Sequence, residues 1–355
     1  MSESAIAVFD SDGHVDENLD EIAACFEGAY ARPKWTQIHG IFPSPDGWSR
    51  GVIIDRGDKE REHRRTDAEI WSDVLGRLGA DGSVLYPTAG LTLGLMRDGD
   101  HAAATAAAYN NWLEKHYTSQ DSRLYGAGLM AVQKPDAAVA ELKRCVEKRA
   151  NFRAMILPAV TAEARSYGDE FYWPIFEEAE RRDIALAVHG APSPGMGLDH
   201  FDTFIKVHTL SHPLAIFIQL TDMMFSGVFE AFPKLRFAFL EAGCGWLPFM
   251  MDRMDYEFGS LHGAEVKAKL SRKPSEYFRE GGNIWLSLEL DERAIKYAID
   301  AAGSTRLLYA SDYGHESPLK HIARELSDFI ADPAYDDAVK ANILGRNGRE
   351  LYRLA

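Results

Sequence analysis

Aspartate, glutamate and histidine side chains stand at the carboxyl ends of several apolar segments that are typical of buried strands. The first segment leads into Asp12 and His14, and others end in His189, Glu241 and Asp312. Because residues i and i+2 of a strand point to the same side, Asp12 and His14 would project together. Two imidazoles with two or three carboxylates form a donor set that suits Zn, Mn or Fe. We therefore predict a divalent metal site formed by Asp12, His14, His189 and Asp312.

Each of these residues also has an ordinary structural interpretation when it is considered alone. The sequence DSDGH at 10–14 could form a turn after a strand, and Asp312 could start another turn. A single His189 is more often a hydrogen-bonded core residue, and Glu241 could cap a helix or pair with Arg253. The metal site is favoured because all of these side chains fall at predicted strand ends.

Further histidines lie near these positions in the sequence. His208 and His212 are four residues apart and would share one face of a helix. If that helix begins at the pocket, His212 can be a ligand or a proton-transfer residue; the alternative is a hydrogen-bonded structural pair. His315 and Glu316 follow Asp312 closely and could line the mouth of the same site.

The elements that must position these side chains alternate between strands and helices. Eight short segments rich in β-forming residues recur at 5–11, 83–87, 124–131, 152–158, 184–190, 235–243, 283–289 and 306–312. Most are continuously apolar, as strands covered on both faces are. Helical spacing of apolar residues occurs at 136–149, 169–183 and 291–303. This alternation predicts an α/β fold, a closed (β/α)8 TIM barrel. An open doubly wound sheet is the alternative, but no glycine-rich phosphate loop follows the first strand.

Two connections are longer than a plain barrel requires, one after the first strand and one after the fifth. Residues 15–70 include the aromatic residues Trp35, Phe42 and Trp48, and residues 191–213 contain a Pro- and Gly-rich stretch. Long connections at the carboxyl ends of barrel strands commonly form substrate pockets and lids. Because 15–70 has too few periodic apolar positions for its own core, we predict a single domain over all 355 residues with this segment as a lid.

Composition and charge limit the partners of the chain. The net charge of −15 disfavours nucleic acid and anionic lipid, and the hydrophobic fraction of 46% is ordinary for a globular enzyme. Cys25, Cys145 and Cys244 are widely spaced and form no CxxC pair, which indicates a reducing compartment. Without a signal-like N-terminus or an apolar run of spanning length, we expect a cytoplasmic protein that acts on a small molecule.

Four stretches span nearly the whole predicted barrel: DSDGHVDE (10–17), LAVHG (186–190), the block at 211–255 and LLYASDYGHE (307–316). Together they resemble the amidohydrolase-related proteins of the metal-dependent amidohydrolase superfamily, in the branch that contains aminocarboxymuconate-semialdehyde decarboxylase and aromatic acid decarboxylases. The resemblance implies a distorted TIM barrel with a divalent metal. It matches this family's ligand positions to Asp12, His14, His189 and Asp312. It also implies a homodimer or higher homo-oligomer, for which the apolar, aromatic-rich insertions would supply surface.

Two positions depart from the family's pattern. The best-known decarboxylases carry HxH on the first strand, where this chain has Asp12 and His14. Glu241 stands where they have a strand-six histidine that works as acid or base. A glutamate can serve as a general base, or it can bind a metal directly, in which case Glu241 and His212 are candidate ligands of a second ion.

The predicted reaction is metal-assisted chemistry on a small, carboxylated or aromatic substrate. The metal, zinc by expectation with Mn or Fe as alternatives, would polarise the substrate and lower the pKa of a bound water. Asp312 would accept a proton from that water, and Glu241 or His212 would transfer protons to the leaving group or ring carbon. Hydrolysis of an amide, ester or lactone and non-oxidative decarboxylation both fit. The alternatives are a dinuclear iron or mixed-metal oxygenase on the same barrel, and a catalytically silent barrel subunit of a heteromer.

Overall fold

The structure is a computed structural model that describes residues 6–31, 40–43, 66–148, 151–163, 165–191, 193, 195–315 and 317–354. The described residues form one sheet whose strands pair in chain order, each parallel to the next. The strands are β1 (Val8–Val15), β2 (Ala80–Pro87), β3 (Leu124–Gly128), β4 (Phe152–Pro158), β5 (Ala185–His189), β6 (Phe237–Leu240), β7 (Ile284–Leu288) and β8 (Leu307–Tyr309). The predicted (β/α)8 barrel is therefore confirmed.

Helices connect the strands and cover the outside of the barrel. They are α1 (Leu19–Ala23), α2 (Ala68–Leu78), α3 (Gly99–Leu113), α4 (Pro135–Lys148), α5 (Trp173–Arg181), α6 (Phe204–Ser226), α7 (Val228–Ala231), α8 (Leu247–Gly259), α9 (Ile295–Ala302), α10 (Leu319–Ala331), α11 (Asp337–Ala341) and α12 (Asn347–Tyr352). Within the described ranges, none of them is both long enough and apolar enough to cross a membrane.

Local sequence explains where α2 begins and ends. The Asp67 side chain accepts a hydrogen bond from the backbone N–H of Ile70, which satisfies one of the free donors of the first turn. Gly79 follows the last helical residue with φ of 63°, a left-handed conformation that glycine adopts without a steric penalty. The helix therefore stops immediately before β2, which begins at Ala80.

The ring of strands closes between β8 and β1 through the residues that follow β8. The Asp312 N–H donates to the Asp12 carbonyl (3.0 Å), and the His14 N–H donates to the Tyr313 carbonyl (2.8 Å). The buried Asp10 carboxylate reinforces this seam, because it accepts hydrogen bonds from the hydroxyls of Ser83 (2.7 Å) and Ser311 (2.8 Å). One side chain of β1 thus joins both of its neighbouring strands.

Residues 342–354 seal the amino-terminal end of the barrel. The Tyr352 hydroxyl donates to the Ser11 carbonyl (2.7 Å) and lies 2.9 Å from the hydroxyl of Tyr86. The Arg236 guanidinium, just before β6, donates to the Leu351 carbonyl (2.6 Å). These hydrogen bonds join the segment to β1, to β2 and to the residue that precedes β6.

The two predicted insertions have different outcomes. Residues 32–39 and 44–65 lie outside the described residues, and so do Trp35 and Trp48. Phe42 is buried and its ring centroid lies 6.5 Å from that of Tyr109. The lid function of 15–70 remains a prediction. After β5, residues 204–213 belong to α6, so the irregular connection there is shorter than expected.

Candidate metal centre

Histidine and acidic side chains from five parts of the fold meet at the carboxyl end of the barrel. They come from β1, from the ends of β5, β6 and β8, and from α6. The members are Asp12, His14, His189, His212, Glu241, Asp312 and His315. The predicted ligands and proton-transfer residues are all in this group, and His315, which was expected only to line the mouth, is part of it as well. Glu316, expected beside His315, lies outside the described residues.

The four predicted ligands bring their donor atoms together. Nε2 of His14 lies 3.6 Å from Oδ1 of Asp12 and 3.5 Å from Oδ1 of Asp312. Nε2 of His189 lies 3.5 Å from the same Asp12 oxygen. Neighbouring donors around a tetrahedral ion with bonds of about 2.1 Å are roughly 3.4 Å apart. The spacing of Asp12, His14 and His189 therefore fits one ion between them, and Asp312 approaches that group beside His14.

Backbone carbonyls fix the tautomers of the two strand histidines. Nδ1 of His14 lies 3.0 Å from the Pro87 carbonyl, and Nδ1 of His189 lies 2.7 Å from the Gly190 carbonyl. Since a carbonyl only accepts, each Nδ1 carries the hydrogen and each Nε2 presents a lone pair to the centre. Both Nε2 atoms and Oδ1 of Asp12 are buried without a hydrogen-bond partner among the described residues. Such atoms destabilise a fold unless they are satisfied, and a divalent cation between them would satisfy all three.

Glu241 lies at the centre of a second set of contacts. Its Oε2 is 3.5 Å from Nε2 of His212 and 3.4 Å from Nδ1 of His189, and its Oε1 is 3.3 Å from Nδ1 of His315. The same His315 nitrogen lies 2.6 Å from Oδ1 of Asp312. Glu241, which departs from the family pattern, therefore lies within 3.5 Å of the imidazoles of His189, His212 and His315.

Two of the carboxylates are held on left-handed backbone. Glu241 has φ of 63° and Asp312 has φ of 48°, values that are uncommon for residues other than glycine. The conformation is held by neighbouring strands, because the Glu241 N–H donates to the Ser287 hydroxyl (3.0 Å) and the Asp312 N–H to the Asp12 carbonyl. Strained backbone that persists in this way is typical of functional sites.

Burial and mutual charge set the protonation of the centre. Burial raises the pKa of Asp12 to about 6. Burial opposes charge on His189, yet Asp12 and Glu241 together raise its pKa to about 9. Asp312 and Glu241 likewise raise the pKa of His315 against the effect of burial. In the absence of a metal, imidazolium protons thus balance the carboxylates, and a cation that binds would displace them.

One acidic residue of the mouth was missed by the sequence reasoning. Glu289 follows β7 directly. Burial of its carboxyl, together with repulsion from the neighbouring carboxylates of Asp312 and Asp291, raises the pKa of Glu289 to about 8. The signal was present, since 283–289 was recognised as a strand and Glu289 is its last residue. The same strand-end rule that identified Asp312 applies to this position.

Comparison with known proteins gives a consistent family. A sequence profile described as Amidohydrolase matches residues 10–354. The 2-amino-3-carboxymuconate-6-semialdehyde decarboxylase of Dictyostelium discoideum is 26% identical over 303 residues, which cover 82% of this chain and 79% of that protein. The gamma-resorcylate decarboxylase of Rhizobium radiobacter is 26% identical over 341 residues, covering 92% and 97% of the two chains.

Solved structures share the barrel. The 5-carboxyvanillate decarboxylase of Sphingomonas paucimobilis has a TM-score of 0.76 at 21% identity and covers 99% of this chain and 100% of its own. A dihydroxybenzoic acid decarboxylase of Polaromonas sp. JS666, with bound manganese and 2-nitroresorcinol, has a TM-score of 0.73 at 18% identity and covers 98% and 97%. At these identities the likeness establishes the fold.

Proposed function

Since this chain belongs to the amidohydrolase family, whose profile spans residues 10–354, we propose that it is a metal-dependent decarboxylase of a small carboxylated aromatic acid. The observation that carries the proposal is the convergence of the inward lone pairs of His14 and His189 on the buried Asp12 carboxylate. The curated relatives named above, which are decarboxylases, support the reaction class.

The metal site is proposed for Asp12, His14, His189 and Asp312. A divalent cation held there would supply a Lewis acid that binds the substrate carboxylate or a neighbouring oxygen. Zinc, expected from the donor set, stays a prediction. The related structure with bound manganese makes Mn²⁺ the first ion to test.

Glu241 is proposed to move the proton that decarboxylation requires. When the bond between the ring and the carboxyl carbon breaks, CO2 leaves and the electron pair stays on the ring carbon, which then takes up a proton. Glu241 lies between His212 and His315, within 3.5 Å of a nitrogen of each. A proton on either imidazole can therefore reach the Glu241 carboxylate, which would deliver it to the carbon.

Metal-assisted hydrolysis of an ester, amide or lactone is the second candidate. Although burial opposes charge on Glu241, the His212 and His189 imidazoles hold the pKa of its carboxyl well below the usual range. An ionised carboxylate beside a metal site suits a general base that removes a proton from water. Asp312 would share that task in the hydrolytic reaction.

Reaction of Mn²⁺-loaded protein with two groups of compounds tests the proposal. The first group comprises 2,6-dihydroxybenzoate and 5-carboxyvanillate, with CO2 release and the decarboxylated ring measured together. The second comprises aryl esters and lactones of similar size. We expect metal-dependent CO2 release that is abolished by His189→Ala and retained by His321→Ala, a histidine exposed on α10. Metal-dependent ester hydrolysis without CO2 from any acid would instead establish the hydrolase.

A homo-oligomer is proposed from the exposed apolar side chains of α6 and α8. Ile205 on α6 is 75% exposed, and Phe249 and Tyr256 on α8 are 66% and 69% exposed. Exposed large apolar side chains are typical of association surfaces when they lie in a contiguous patch. A second copy of this chain is the proposed partner.

A further inference from the structure

We infer that Glu17 positions the imidazoles of His14 and His315 for catalysis, because it holds the segment at 87–90 that orients both rings. This segment joins the end of β2 to the short 3₁₀ helix at Ala89–Leu95. Glu17 lies just beyond the end of β1, and its side chain is half-buried. The inference rests on the proposed metal centre and on the proposed decarboxylation.

The Glu17 carboxylate binds three consecutive backbone N–H groups of the segment. Oε1 accepts from the N–H groups of Gly90 (2.7 Å) and Thr88 (3.1 Å), and Oε2 accepts from the N–H of Ala89 (3.0 Å). Hydrogen bonds to an ionised acceptor are stronger than those between neutral groups. Because both oxygens are engaged, an amide in place of the carboxylate would direct its own N–H donors at one of these groups and lose that contact.

The Pro87 carbonyl is the contact that orients His14. Its oxygen lies 3.0 Å from Nδ1 of His14. Since a carbonyl only accepts, this contact turns the lone pair of Nε2 toward the proposed ion. Pro87 directly precedes Thr88, whose N–H is held by Glu17. Hydrogen bonds of this kind to the outer nitrogen of metal-bound histidines contribute to metal affinity, so a displaced segment should weaken metal binding.

The Thr88 hydroxyl is the contact that orients His315. It donates to the Val15 carbonyl (2.8 Å), so toward Nε2 of His315 (3.2 Å) it can only accept. Nε2 of His315 therefore carries a hydrogen. The opposite nitrogen, Nδ1, faces the carboxylates of Asp312 (2.6 Å) and Glu241 (3.3 Å). In the proposed reaction a proton passes from this imidazole to Glu241, so its rate depends on the hydroxyl that fixes the ring.

Variants of Thr88 and Glu17 separate the two contacts. Thr88→Val removes the hydroxyl and leaves the Pro87 carbonyl in place, so kcat should fall by about 10- to 100-fold while KM and Mn²⁺ affinity stay near their wild-type values. Thr88→Ser keeps the hydroxyl and should restore kcat. Glu17→Gln releases part of the whole segment and should lower both kcat and Mn²⁺ affinity, each by about 10- to 100-fold.

Glu21→Gln is the matched control, because the Glu21 carboxylate accepts from the Trp112 indole (2.8 Å), and we expect it to behave as wild type. Burial raises the pKa of Glu17 to about 7, so the measurements are made at a higher pH, where its carboxylate is ionised. Titration of metal-free protein gives the Mn²⁺ affinity. Release of CO2 from the acid that the wild type decarboxylates gives kcat and KM, and circular dichroism melts establish that each variant is folded.

The outcomes separate a positioning residue from a structural one. Unchanged kcat in Thr88→Val, or unchanged Mn²⁺ affinity in Glu17→Gln, would overturn the inference. If Glu17→Gln lowers only the melting temperature, Glu17 is an ordinary cap of the helix at Ala89–Leu95. Should Glu17→Gln unfold, the comparison of Thr88→Val with Thr88→Ser still decides.

Failure of the proposed function gives a different result. If the wild type binds Mn²⁺ but releases no CO2 from any acid, the proposed reaction is wrong. The Mn²⁺ affinity of Glu17→Gln relative to Glu21→Gln then decides whether Glu17 positions His14. A wild type that binds no Mn²⁺ would refute the metal centre and this inference together.

Discussion

Substitution of Asp10 should uncouple the metal ligands while leaving the barrel folded. Oδ1 of Asp10 accepts from the Ser311 N–H (2.9 Å) and the Asp12 N–H (3.3 Å), and Oδ2 accepts from the hydroxyls of Ser83 and Ser311. The Asp12 N–H belongs to one proposed ligand, and Ser311 directly precedes another, Asp312. Asp10→Ala removes all four acceptor contacts, and Asp10→Asn keeps the oxygen that faces the two backbone donors.

The expected magnitudes follow from these contacts. Four hydrogen bonds at about 0.5–1.5 kcal/mol each would sum to roughly 2–6 kcal/mol. Part of this is offset, because burial raises the pKa of Asp10 and its removal relieves that desolvation. We expect Asp10→Ala to lower the free energy of unfolding by about 2–4 kcal/mol and Mn²⁺ affinity by about 10- to 100-fold. Asp10→Asn should cost about 1 kcal/mol, since both hydroxyls can rotate to accept from the amide.

Urea unfolding of metal-free protein and Mn²⁺ titration of the folded protein measure the two effects separately. Asp328→Ala, at an exposed position on α10, is the control for loss of an aspartate. The reasoning is wrong if Asp10→Ala changes neither the midpoint nor the affinity. Equal losses in Asp10→Asn and Asp10→Ala would show that the charge of Asp10, rather than its acceptor positions, is what matters.

Other predictions concern the reaction, the assembly and the effect of pH. Glu241→Gln should keep the ion of the proposed metal centre and lower turnover by about 100-fold or more, as measured by steady-state kinetics at saturating Mn²⁺. Unchanged turnover would remove Glu241 from the mechanism. Ile205→Glu should convert the homo-oligomer into monomers by light scattering, and a wild-type monomer at micromolar concentration would refute the assembly. The hydrogen bond from Arg123 holds the pKa of Asp121 below its ordinary value of 3.8. The ion pair therefore stabilises the fold at pH values above 3.8, and this stabilisation is lost as the pH falls and Asp121 is protonated. Asp121→Asn should therefore destabilise by about 1 kcal/mol near neutral pH, because Arg123 is partly exposed, and a difference that persists in acid melts would contradict this.

The strands were predictable because burial on both faces leaves a continuous apolar sequence. All eight segments contain the strand that the structure has or overlap with it. Helix starts were less accurate, because contacts from elsewhere decide them. Residues 291–294 precede α9 rather than belonging to it. There the Glu292 carboxylate accepts from the N–H groups of Glu289 (3.0 Å) and Cys244 (2.9 Å), which ties two loops together.

The proposed metal ligands Asp12, His14, His189 and Asp312 were predictable for the same reason as the strands, since their positions follow from strand ends alone. His315 was expected only to line the mouth, because the direction of its side chain depends on backbone that the sequence does not reveal. Asp312 has φ of 48° and Gly314 has φ of 114°. With this backbone the His315 ring stacks on the ring of His14, with 3.8 Å between the centroids. The sequence allows these angles at Asp and Gly but does not require them.

The segment at 342–354 has a consequence for synthesis on the ribosome. β1 emerges early, yet the hydrogen bond from Tyr352 to the Ser11 carbonyl joins positions that are 341 residues apart. Contacts of such separation form late, because loop-closure entropy is lost before they stabilise the chain. The nascent polypeptide can form successive strand–helix units, but Asp12 and His14 stand on a strand whose support is incomplete until residues 342–354 have been added. Metal loading should therefore follow translation, and ribosome-bound chains stalled before residue 342 should not retain the ion.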